Sequence, residues 1–298
     1  MTSPITSPLW STPDAEVQLW QAPLPPGAAG AGDRGMPTLP DGLLPAWQTS
    51  LSADEHARAA RFHFVRDQVR FTLARALLRE VLGRLTGQPP AALRFGQGPQ
   101  GKPFVMDEAG QDSGLAFNLS HTDDLVLLAV HRDGLTLGVD VESTRRHAPM
   151  KVARRQFAPV EAAAIDALSD PAHHEAQVHL FWSCWTLKES LIKATGEGLH
   201  TPLSRFGFEL LPDEGRITLE AHAGTPEGDT TWRFGQWRPS PHHLAALCVA
   251  APGHPVVHQD AHQGTPHAAP LPCVQAWYGW PGQDLTPLAL DWLARSDA

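Results

Sequence analysis

The order in which helical and strand patterns follow one another limits the folds open to this chain more than any other feature of its sequence. Ser52 and Glu55 have the spacing of a helix capping box, and apolar residues recur at helical spacing from Phe62 to Val81. Four strand patterns come next, at 93–96, 115–119, 125–131 and 135–142. Helical patterns return at 159–168 and 172–194, followed by strand patterns at 205–211, 216–222, 231–238 and 243–250. Strands that come in runs favour an α+β fold with antiparallel sheets over a doubly wound parallel sheet.

The two ends of the chain differ in composition from its middle. Residues 1–50 are rich in Pro, Gly and Ala, and we expect one strand near 15–20 followed by a loose linker. The last part of the chain, 252–298, is rich in Pro, Gly and His, and we expect weak order there. In the middle, Asp133 and Gly134 are a strong signal for a β-hairpin that joins the strands at 125–131 and 135–142.

Charge, hydropathy and cysteine content exclude several classes of protein. The chain has 298 residues and a net charge of -9, which argues against nucleic-acid binding through a basic surface. Its longest apolar run, Leu125–Val130, is far shorter than the roughly 20 residues of a membrane helix. The first residues lack the basic and apolar parts of a secretory signal, and three widely spaced Cys make no disulfide framework. We therefore expect a cytoplasmic protein without a membrane partner.

The strand pattern at 138–142, with the sequence GVDVE, places two acidic side chains on one face. Side chains alternate along a strand, so Asp140 and Glu142 point one way while Val139 and Val141 point the other. Two carboxylates this close repel each other unless water or a cation lies between them. The pattern therefore indicates either a half-buried strand with a solvated acidic face or a cation site.

The helical pattern at 181–193 is rich in large apolar residues, yet it also carries Glu189 and Lys193. These two residues are four positions apart and share one helix face. They form either an ordinary surface ion pair or a third carboxylate for a metal beside a cation for phosphate. Three carboxylates without a His or Cys ligand would suit Mg²⁺ better than Zn²⁺.

Two further segments carry polar residues at predicted strand ends or turns. Asn118, Ser120 and His121 end a strand pattern, where they serve either as turn and capping residues or as a hydroxyl and an imidazole facing a phosphate. Lys102 lies between Gly101 and Pro103, which by themselves indicate an exposed turn.

Taken together and in this order, these segments resemble the motifs of the 4′-phosphopantetheinyl transferase superfamily, in particular its larger monomeric type that activates surfactin-like peptide synthetases. The matching segments are RFHFVRDQVRFTLAR at 61–75, GKP at 101–103, NLSH at 118–121, GVDVE at 138–142 and WTLKESLIK at 185–193. The resemblance spans about residues 50–250. It implies two similar α+β halves related by a pseudo-twofold axis, 1–136 and 137–251, with the site at their junction and a tail at 252–298.

The resemblance also implies an activity and a role for each matching residue. The reaction would be Mg²⁺-dependent transfer of phosphopantetheine from coenzyme A to a serine of an acyl or peptidyl carrier protein, as in a holo-[acyl-carrier-protein] synthase, with release of 3′,5′-ADP. Asp140, Glu142 and Glu189 would hold Mg²⁺ with the pyrophosphate. Glu161 or Glu189 would accept the proton of the serine, and Lys193 would stabilise the charge of the leaving ADP. The residues implied to contact the coenzyme are Arg58, Arg70, Lys102, Ser120, His121 and Lys193.

One departure from the family pattern and one charge pattern affect how ligands would be held. Some members of the family carry a Lys where this chain has Glu55, so the 3′-phosphate of the coenzyme would be held differently here, with Arg61 or Lys188 as alternative ligands. Carrier proteins tend to be acidic, and the basic stretch 143–156 together with the arginine-rich face of 54–84 would steer such a partner.

Two other functions remain open at the level of the sequence. The same carboxylates could serve a metal-dependent phosphohydrolase, although the chain lacks a D-x-D-type or His-rich metal motif. A non-catalytic relative that only binds carrier proteins is the other alternative, although such a protein would have no need of Asp140, Glu142, Glu189 and Lys193.

Overall fold

The computed structural model describes residues 17–26, 36–98, 100–131, 135–198, 201–221, 230–255 and 271–296. The helices are α1 (Leu43–Thr49), α2 (Ala53–Ala59), α3 (Val65–Thr86), α4 (Met150–Gln156), α5 (Pro159–Ala167) and α6 (His174–Thr195). The first six strands are β1 (Val17–Pro23), β2 (Phe95–Gln97), β3 (Pro103–Val105), β4 (Ala116–His121), β5 (Leu125–His131) and β6 (Leu137–Ser143). The others are β7 (Phe206–Leu211), β8 (Arg216–Ala221), β9 (Thr230–Trp237), β10 (His243–Pro255), β11 (Val274–Tyr278), β12 (Thr286–Leu288) and β13 (Trp292–Arg295).

The strands form two larger sheets and one short hairpin. The first sheet has the order β12-β11-β1-β5-β4, the second has the order β6-β10-β9-β13-β8-β7, and β2 pairs with β3. Most neighbours are antiparallel, while β11 runs parallel to β1 and β13 runs parallel to β8. The predicted α+β fold with antiparallel sheets is confirmed.

The two sheets pack face to face, and a long helix covers the outer face of each. Leu19 of the first sheet and Val139 of the second belong to one buried apolar cluster between the sheets. On the opposite faces, Trp20 packs into the cluster that contains α3, and Ala246 packs into the cluster that contains α6. Because successive side chains of a strand point to opposite faces, these strands can bury apolar residues on both sides, which gives the order helix, sheet, sheet, helix.

The long helices α3 and α6 have the same length and the same kind of ending. Each has 22 residues and stops at a glycine in the left-handed region, Gly87 with φ 72° and Gly196 with φ 77°. A residue without a Cβ adopts this conformation at little cost, which is why glycine ends helices so often. The capping box of Ser52 and Glu55 is confirmed, but it opens the separate short helix α2 rather than α3.

The strands on either side of Asp133 and Gly134 do not form the predicted hairpin. The two residues themselves lie outside the described part of the chain. Strand β5 already has β1 on one side and β4 on the other, so it has no free edge for β6. Strand β6 pairs with β10 instead, and the chain therefore crosses at this point from the first sheet to the second.

The expectation of weak order is wrong for residues 271–296. Strands β11 and β12 extend the first sheet, and β13 lies between β9 and β8 in the second. Trp277 stacks on Trp20 with 5.1 Å between ring centroids, and its side chain is buried. This segment is therefore part of both sheets rather than a separate tail. In the described residues, no helix has the length and apolar character needed to cross a membrane.

Gly138 allows α6 to pack directly on β6. A Cβ at this position would overlap the carbonyl oxygen of Ser190 and come within 2.6 Å of the backbone nitrogen of Ala194. Only a residue without a side chain permits so close an approach of helix and strand backbones. The approach brings Glu189 and Lys193 next to the acidic residues that follow Gly138 along the strand.

Candidate active site

The candidate site lies where the facing edges of β4 and β6 meet, between the two halves of the molecule. The side-chain oxygen of Asn118 accepts a hydrogen bond from Val139 N at 2.9 Å, and Ser120 Oγ accepts one from Val141 N at 3.3 Å. Asn118 and Ser120 are two positions apart on β4, so their side chains point the same way. They satisfy N–H groups on the outer edge of β6, which is the last strand of its sheet. The Asn-x-Ser segment thus joins the two halves.

The alternation predicted for GVDVE is present in β6. Val139 and Val141 are buried between the sheets, and Asp140 points to the opposite side, toward α6. Asp140 Oδ1 accepts hydrogen bonds from Lys193 Nζ at 2.6 Å and from Ser120 Oγ at 2.9 Å. The residue is only 3% exposed, so this carboxylate depends on its partners rather than on water.

A cavity of about 400 Å³ opens above this face of β6. It is lined by Leu119, Ser120, His121, Asp140, Glu142, Trp185, Glu189 and Lys193. Residues from three separate segments of the sequence thus bring three carboxylates, an ammonium group, a hydroxyl and an imidazole to one place.

The carboxylates of the cavity raise one another's affinity for protons. Burial, and after it the charge of Asp140, raises the pKa of Glu142 to about 7. The same two causes, in the same order, raise the pKa of Glu189. Lys193 opposes both shifts, and Arg146 NH1, at 3.2 Å from Glu142 Oε2, opposes the first. The three carboxylates therefore repel one another when ionised, and the cavity favours the binding of a proton or another cation.

Asp140 gives a direct test of whether these residues fit a divalent cation. Its Oδ2 is buried and has no hydrogen-bond partner within the described residues. A buried carboxylate oxygen without a partner is costly, so this atom is a candidate metal ligand. Within the described segments, no three Asp, Glu, His or Cys side chains, these three carboxylates included, are placed so that they could hold a metal ion by themselves. The arrangement fits Mg²⁺, which takes one or two carboxylates and shares its remaining positions with water and substrate phosphate.

His121 and Arg70 stand at the border between this cavity and a second one. Partial desolvation of the ring, and then the positive charges of Arg70 and Lys193, lower the pKa of His121, so its imidazole is neutral near pH 7. The second cavity, of about 440 Å³, has Arg66, Arg70, Arg145 and Arg146 among its lining residues. Arg146 also pairs with Glu142, so the two cavities share a wall.

Arg58 lies at a different surface from the carboxylates. It lines a third cavity, of about 700 Å³, together with Arg61 and Phe62. This cavity has no more than one acidic residue, Asp54, and none of the groups predicted to handle the reacting phosphate. We therefore place the chemistry in the smaller cavity, because only there do the carboxylates and Lys193 meet.

The structure places the ammonium group of Lys102 on backbone carbonyl groups and not among the residues that line the carboxylate cavity. Lys102 Nζ donates to Ala194 O at 2.8 Å and to Leu137 O at 3.2 Å. Burial lowers the pKa of Lys102 to about 8. Its ammonium group is therefore used inside the protein, where it joins the GKP turn to the end of α6 and the start of β6.

The structure does not bring Glu161, the other predicted proton acceptor, to the cavity. Glu161 is 1% exposed, lies outside the residues that line the cavity, and pairs with Lys188 Nζ at 2.8 Å. In this arrangement the carboxylate of Glu161 faces Lys188 rather than the space that a substrate hydroxyl group would enter. Glu189, the other candidate in the sequence, does line the cavity.

Trp185 and Arg146 line the two cavities but were not predicted as site residues. Trp185 lines the carboxylate cavity beside Glu142, and its side chain acts to lower the pKa of that residue. Trp185, Glu189 and Lys193 follow one another at intervals of four, so helical spacing alone puts all three on one face. Arg146 is four residues beyond Glu142, but it follows the end of a strand, where no periodicity connects the two.

Comparisons with known proteins agree with these features. The model of the 4′-phosphopantetheinyl transferase superfamily matches residues 136–248, and the model of the 4′-phosphopantetheinyl transferase N-terminal domain matches residues 43–133. The 4′-phosphopantetheinyl transferase HetI of Nostoc sp. is 34% identical over 80% of this chain and 89% of its own length. The 4′-phosphopantetheinyl transferase Sfp of Bacillus subtilis is 28% identical over 69% of this chain and 84% of its own. The human L-aminoadipate-semialdehyde dehydrogenase-phosphopantetheinyl transferase is 28% identical over 68% of each chain.

Proposed function

Because this chain belongs to the 4′-phosphopantetheinyl transferase superfamily and is a phosphopantetheinyl transferase, we propose that the cavity between β4, β6 and α6 is its active site. The reaction moves phosphopantetheine from coenzyme A to a serine of an acyl or peptidyl carrier protein and releases 3′,5′-ADP. Both halves of the single chain contribute residues to the cavity, so a monomer is sufficient for activity.

The observation that carries this proposal is the state of Asp140. One of its oxygens is held by Lys193 and Ser120, and the other is buried without a partner beside two more carboxylates. A divalent cation that enters with a diphosphate substrate would give the unpaired oxygen of Asp140 a partner. Mg²⁺ held by Asp140 and Glu142, two of the three carboxylates, would offset the negative charge of the diphosphate, which leaves Glu189 for the proton.

The residues of the chain itself hold the substrate and move the proton. The neutral His121 donates to a phosphate oxygen at the wall formed by β4, and Ser120 lies beside it with its single hydroxyl proton on Asp140. The ammonium group of Lys193, whose side chain is 28% exposed, faces the charge that develops on the departing ADP. Arg58 and Arg70 bind phosphate groups of the nucleotide from the neighbouring surfaces.

Glu189 accepts the proton of the attacking serine. As the serine oxygen forms its bond to the β-phosphorus, the bond from that phosphorus to the oxygen of 3′,5′-ADP breaks, and the hydroxyl proton passes to a carboxylate. A general base works best when its pKa lies near the working pH, and burial moves the pKa of Glu189 upward, in that direction.

The basic segment after β6 supports an acidic carrier protein as the partner. Arg145, Lys151 and Arg155 are exposed. Their segment follows directly on the strand that carries Asp140 and Glu142, and Arg146 connects it to the cavity. An acidic protein attracted to this segment would therefore present its serine close to the carboxylates.

Replacing both Lys151 and Arg155 by alanine is expected to raise the KM for an acidic apo carrier domain about threefold to tenfold, because rim charges mainly accelerate association. The KM for coenzyme A and kcat should stay within about twofold of the wild type, and the salt dependence of kcat/KM should become shallower. Arg216→Ala, which removes an exposed Arg on β8, is the matched control. An unchanged carrier KM in the double variant would exclude this segment as the steering surface.

The proposed function is tested by incubating the protein with coenzyme A, Mg²⁺ and an apo carrier domain and then measuring the mass of the carrier. We expect the mass to increase by one phosphopantetheine group and 3′,5′-ADP to accumulate in equal amount. Cleavage of coenzyme A without a change in the carrier would show a phosphohydrolase. Binding of the carrier without any product would show a non-catalytic relative.

A further inference from the structure

A buried ion pair lies behind the active-site helix, on the side away from the cavity. Lys188 Nζ is 2.8 Å from Glu161 Oε2, and both side chains are fully buried. Two charges removed from water persist only when each is paired and hydrogen-bonded. The pair is outside the set of residues that line the cavity.

The hydrogen-bonding capacity of this pair is used up within the protein. Lys188 Nζ donates to Phe206 O at 2.6 Å and to Leu203 O at 2.7 Å, in addition to Glu161. The carboxylate of Glu161 accepts from Phe208 N on one oxygen and from Ala158 N on the other, both at 3.0 Å. The ammonium group also lies 4.5 Å from the ring centroid of Phe206. One pair thus connects α6, α5, the start of β7 and the turn before it.

The position of Lys188 on α6 relates this pair to the chemistry. Lys188 precedes Glu189 in the sequence and is five residues before Lys193. On a helix, a residue held on one side fixes the rotation of the residues on the other. Anchoring Lys188 to α5 and β7 therefore determines how far Glu189 and Lys193 reach toward Asp140.

The first half of the molecule contains a similar arrangement, in which a Glu of a short helix pairs with basic residues of a long helix. Glu55, the third residue of α2, accepts a hydrogen bond from Ser52 N at 3.1 Å and pairs with Arg75 and Arg79 of α3 at 2.5 Å. Glu161 likewise is the third residue of a short helix, α5, and accepts from the backbone nitrogen three positions earlier. In each half, one Glu closes the start of a short helix and anchors a 22-residue helix. Helix α3 contributes no residue to the carboxylate cavity, so its pair is a natural comparison.

We propose that Glu161 and Lys188 act together as a positioning pair that sets Glu189 and Lys193 against Asp140, without touching the substrate. The kinetic part of this inference rests on the proposed function. The pair explains why Lys188 directly precedes Glu189 in the segment 185–193. It also gives Glu161 a role other than proton transfer. Arrangements of catalytic groups tolerate little displacement, since an error of about 1 Å can reduce a rate roughly a hundredfold.

A double-mutant cycle separates positioning from direct participation. We expect Glu161→Gln and Lys188→Met each to lower kcat about tenfold to a hundredfold, with the KM for coenzyme A changed by less than about threefold. The double variant should lose no more than the worse single variant, because either change removes the same anchor. Amide hydrogen exchange of α6 should become about tenfold faster or more in all three variants.

Two controls keep the test decisive. Glu55→Gln removes the equivalent carboxylate of the first half and should lower thermal stability while leaving exchange in α6 within about twofold of the wild type. If a single variant fails to fold, the double variant still gives the answer, because it leaves no unpaired buried charge.

Three outcomes would overturn the positioning pair. A folded double variant with the kcat and the α6 exchange of the wild type would show that the anchor has no influence on the site. A large loss in Glu161→Gln together with wild-type kcat in Lys188→Met would identify Glu161 as an independent proton acceptor. If the wild type itself transfers no phosphopantetheine, the proposed function fails, but unchanged exchange of α6 in the variants would still refute the anchor separately.

Discussion

Replacing Asp140 by asparagine is expected to lower kcat for phosphopantetheine transfer by about a hundredfold to a thousandfold or more, with the fold retained. Asparagine has nearly the same shape and can still accept the hydrogen bond that Lys193 Nζ donates at 2.6 Å to Oδ1. It replaces the buried Oδ2, which has no partner, by an amide group that cannot bind a cation. The loss should therefore concern the metal and the diphosphate rather than packing.

The measurement is the initial rate of carrier modification at increasing Mg²⁺, followed by mass spectrometry, together with thermal unfolding. We expect the Mg²⁺ concentration for half-maximal rate to rise at least about tenfold in Asp140→Asn. Glu209→Gln, which changes an exposed carboxylate on β7 of the same sheet, is the matched control and should behave like the wild type. A folded Asp140→Asn protein with the wild-type rate and Mg²⁺ dependence would refute the metal assignment.

Replacing Lys193 by methionine should have the second largest effect, a loss of about a hundredfold in kcat. Methionine keeps most of the aliphatic length and removes the ammonium group that bonds Asp140 and Ser120 Oγ, the latter at 2.9 Å. The charge on the departing ADP then lacks its cation, and Asp140 loses its closest partner. Lys193→Arg should recover part of the rate, because it restores the charge with a different geometry.

The pH dependence of the rate distinguishes an electrostatic role of Lys193 from a merely structural one. Burial and Asp140 raise the pKa of Glu142 and Glu189, and Lys193 lowers both. Removing Lys193 therefore raises both pKa values further. A carboxylate must be ionised before it can accept a proton or bind a cation, so the acidic limb of the rate profile should move to higher pH in Lys193→Met. A loss of rate with an unshifted acidic limb would contradict this electrostatic coupling.

Periodicity along the chain predicted most of the elements that build the site. The alternation in β6 placed Asp140 and Glu142 on one face, and the helical spacing in α6 placed Glu189 and Lys193 on another. Both patterns are local, because a strand or a helix fixes the direction of its side chains without help from distant residues. The meeting of these two faces was inferred from a family resemblance, since no local pattern determines which elements pack together.

The places where the structure differs from the sequence-based expectations involve partners that are distant along the chain. Lys102 and Glu161 matched functional positions by resemblance, yet Lys102 Nζ bonds backbone carbonyls 35 and 92 residues away, and Glu161 is enclosed by Lys188 and β7. The hairpin predicted at 133–134 does not form between β5 and β6, because β5 already pairs with a strand on each side. The Pro- and Gly-rich composition of the last segment likewise concealed strands that are stabilised by pairing with β1 and β9.

The sequence by itself determined the kinds of element, the residues on each of their faces, and the chemistry that three carboxylates and a lysine can support. Only the tertiary structure decided which polar side chains face the cavity and which form buried contacts that stabilise the fold. The physical reason is that a Lys or Glu has the same local preferences in both situations. Its role depends on burial and on the hydrogen-bond partners that packing brings to it, and those partners come from other parts of the chain.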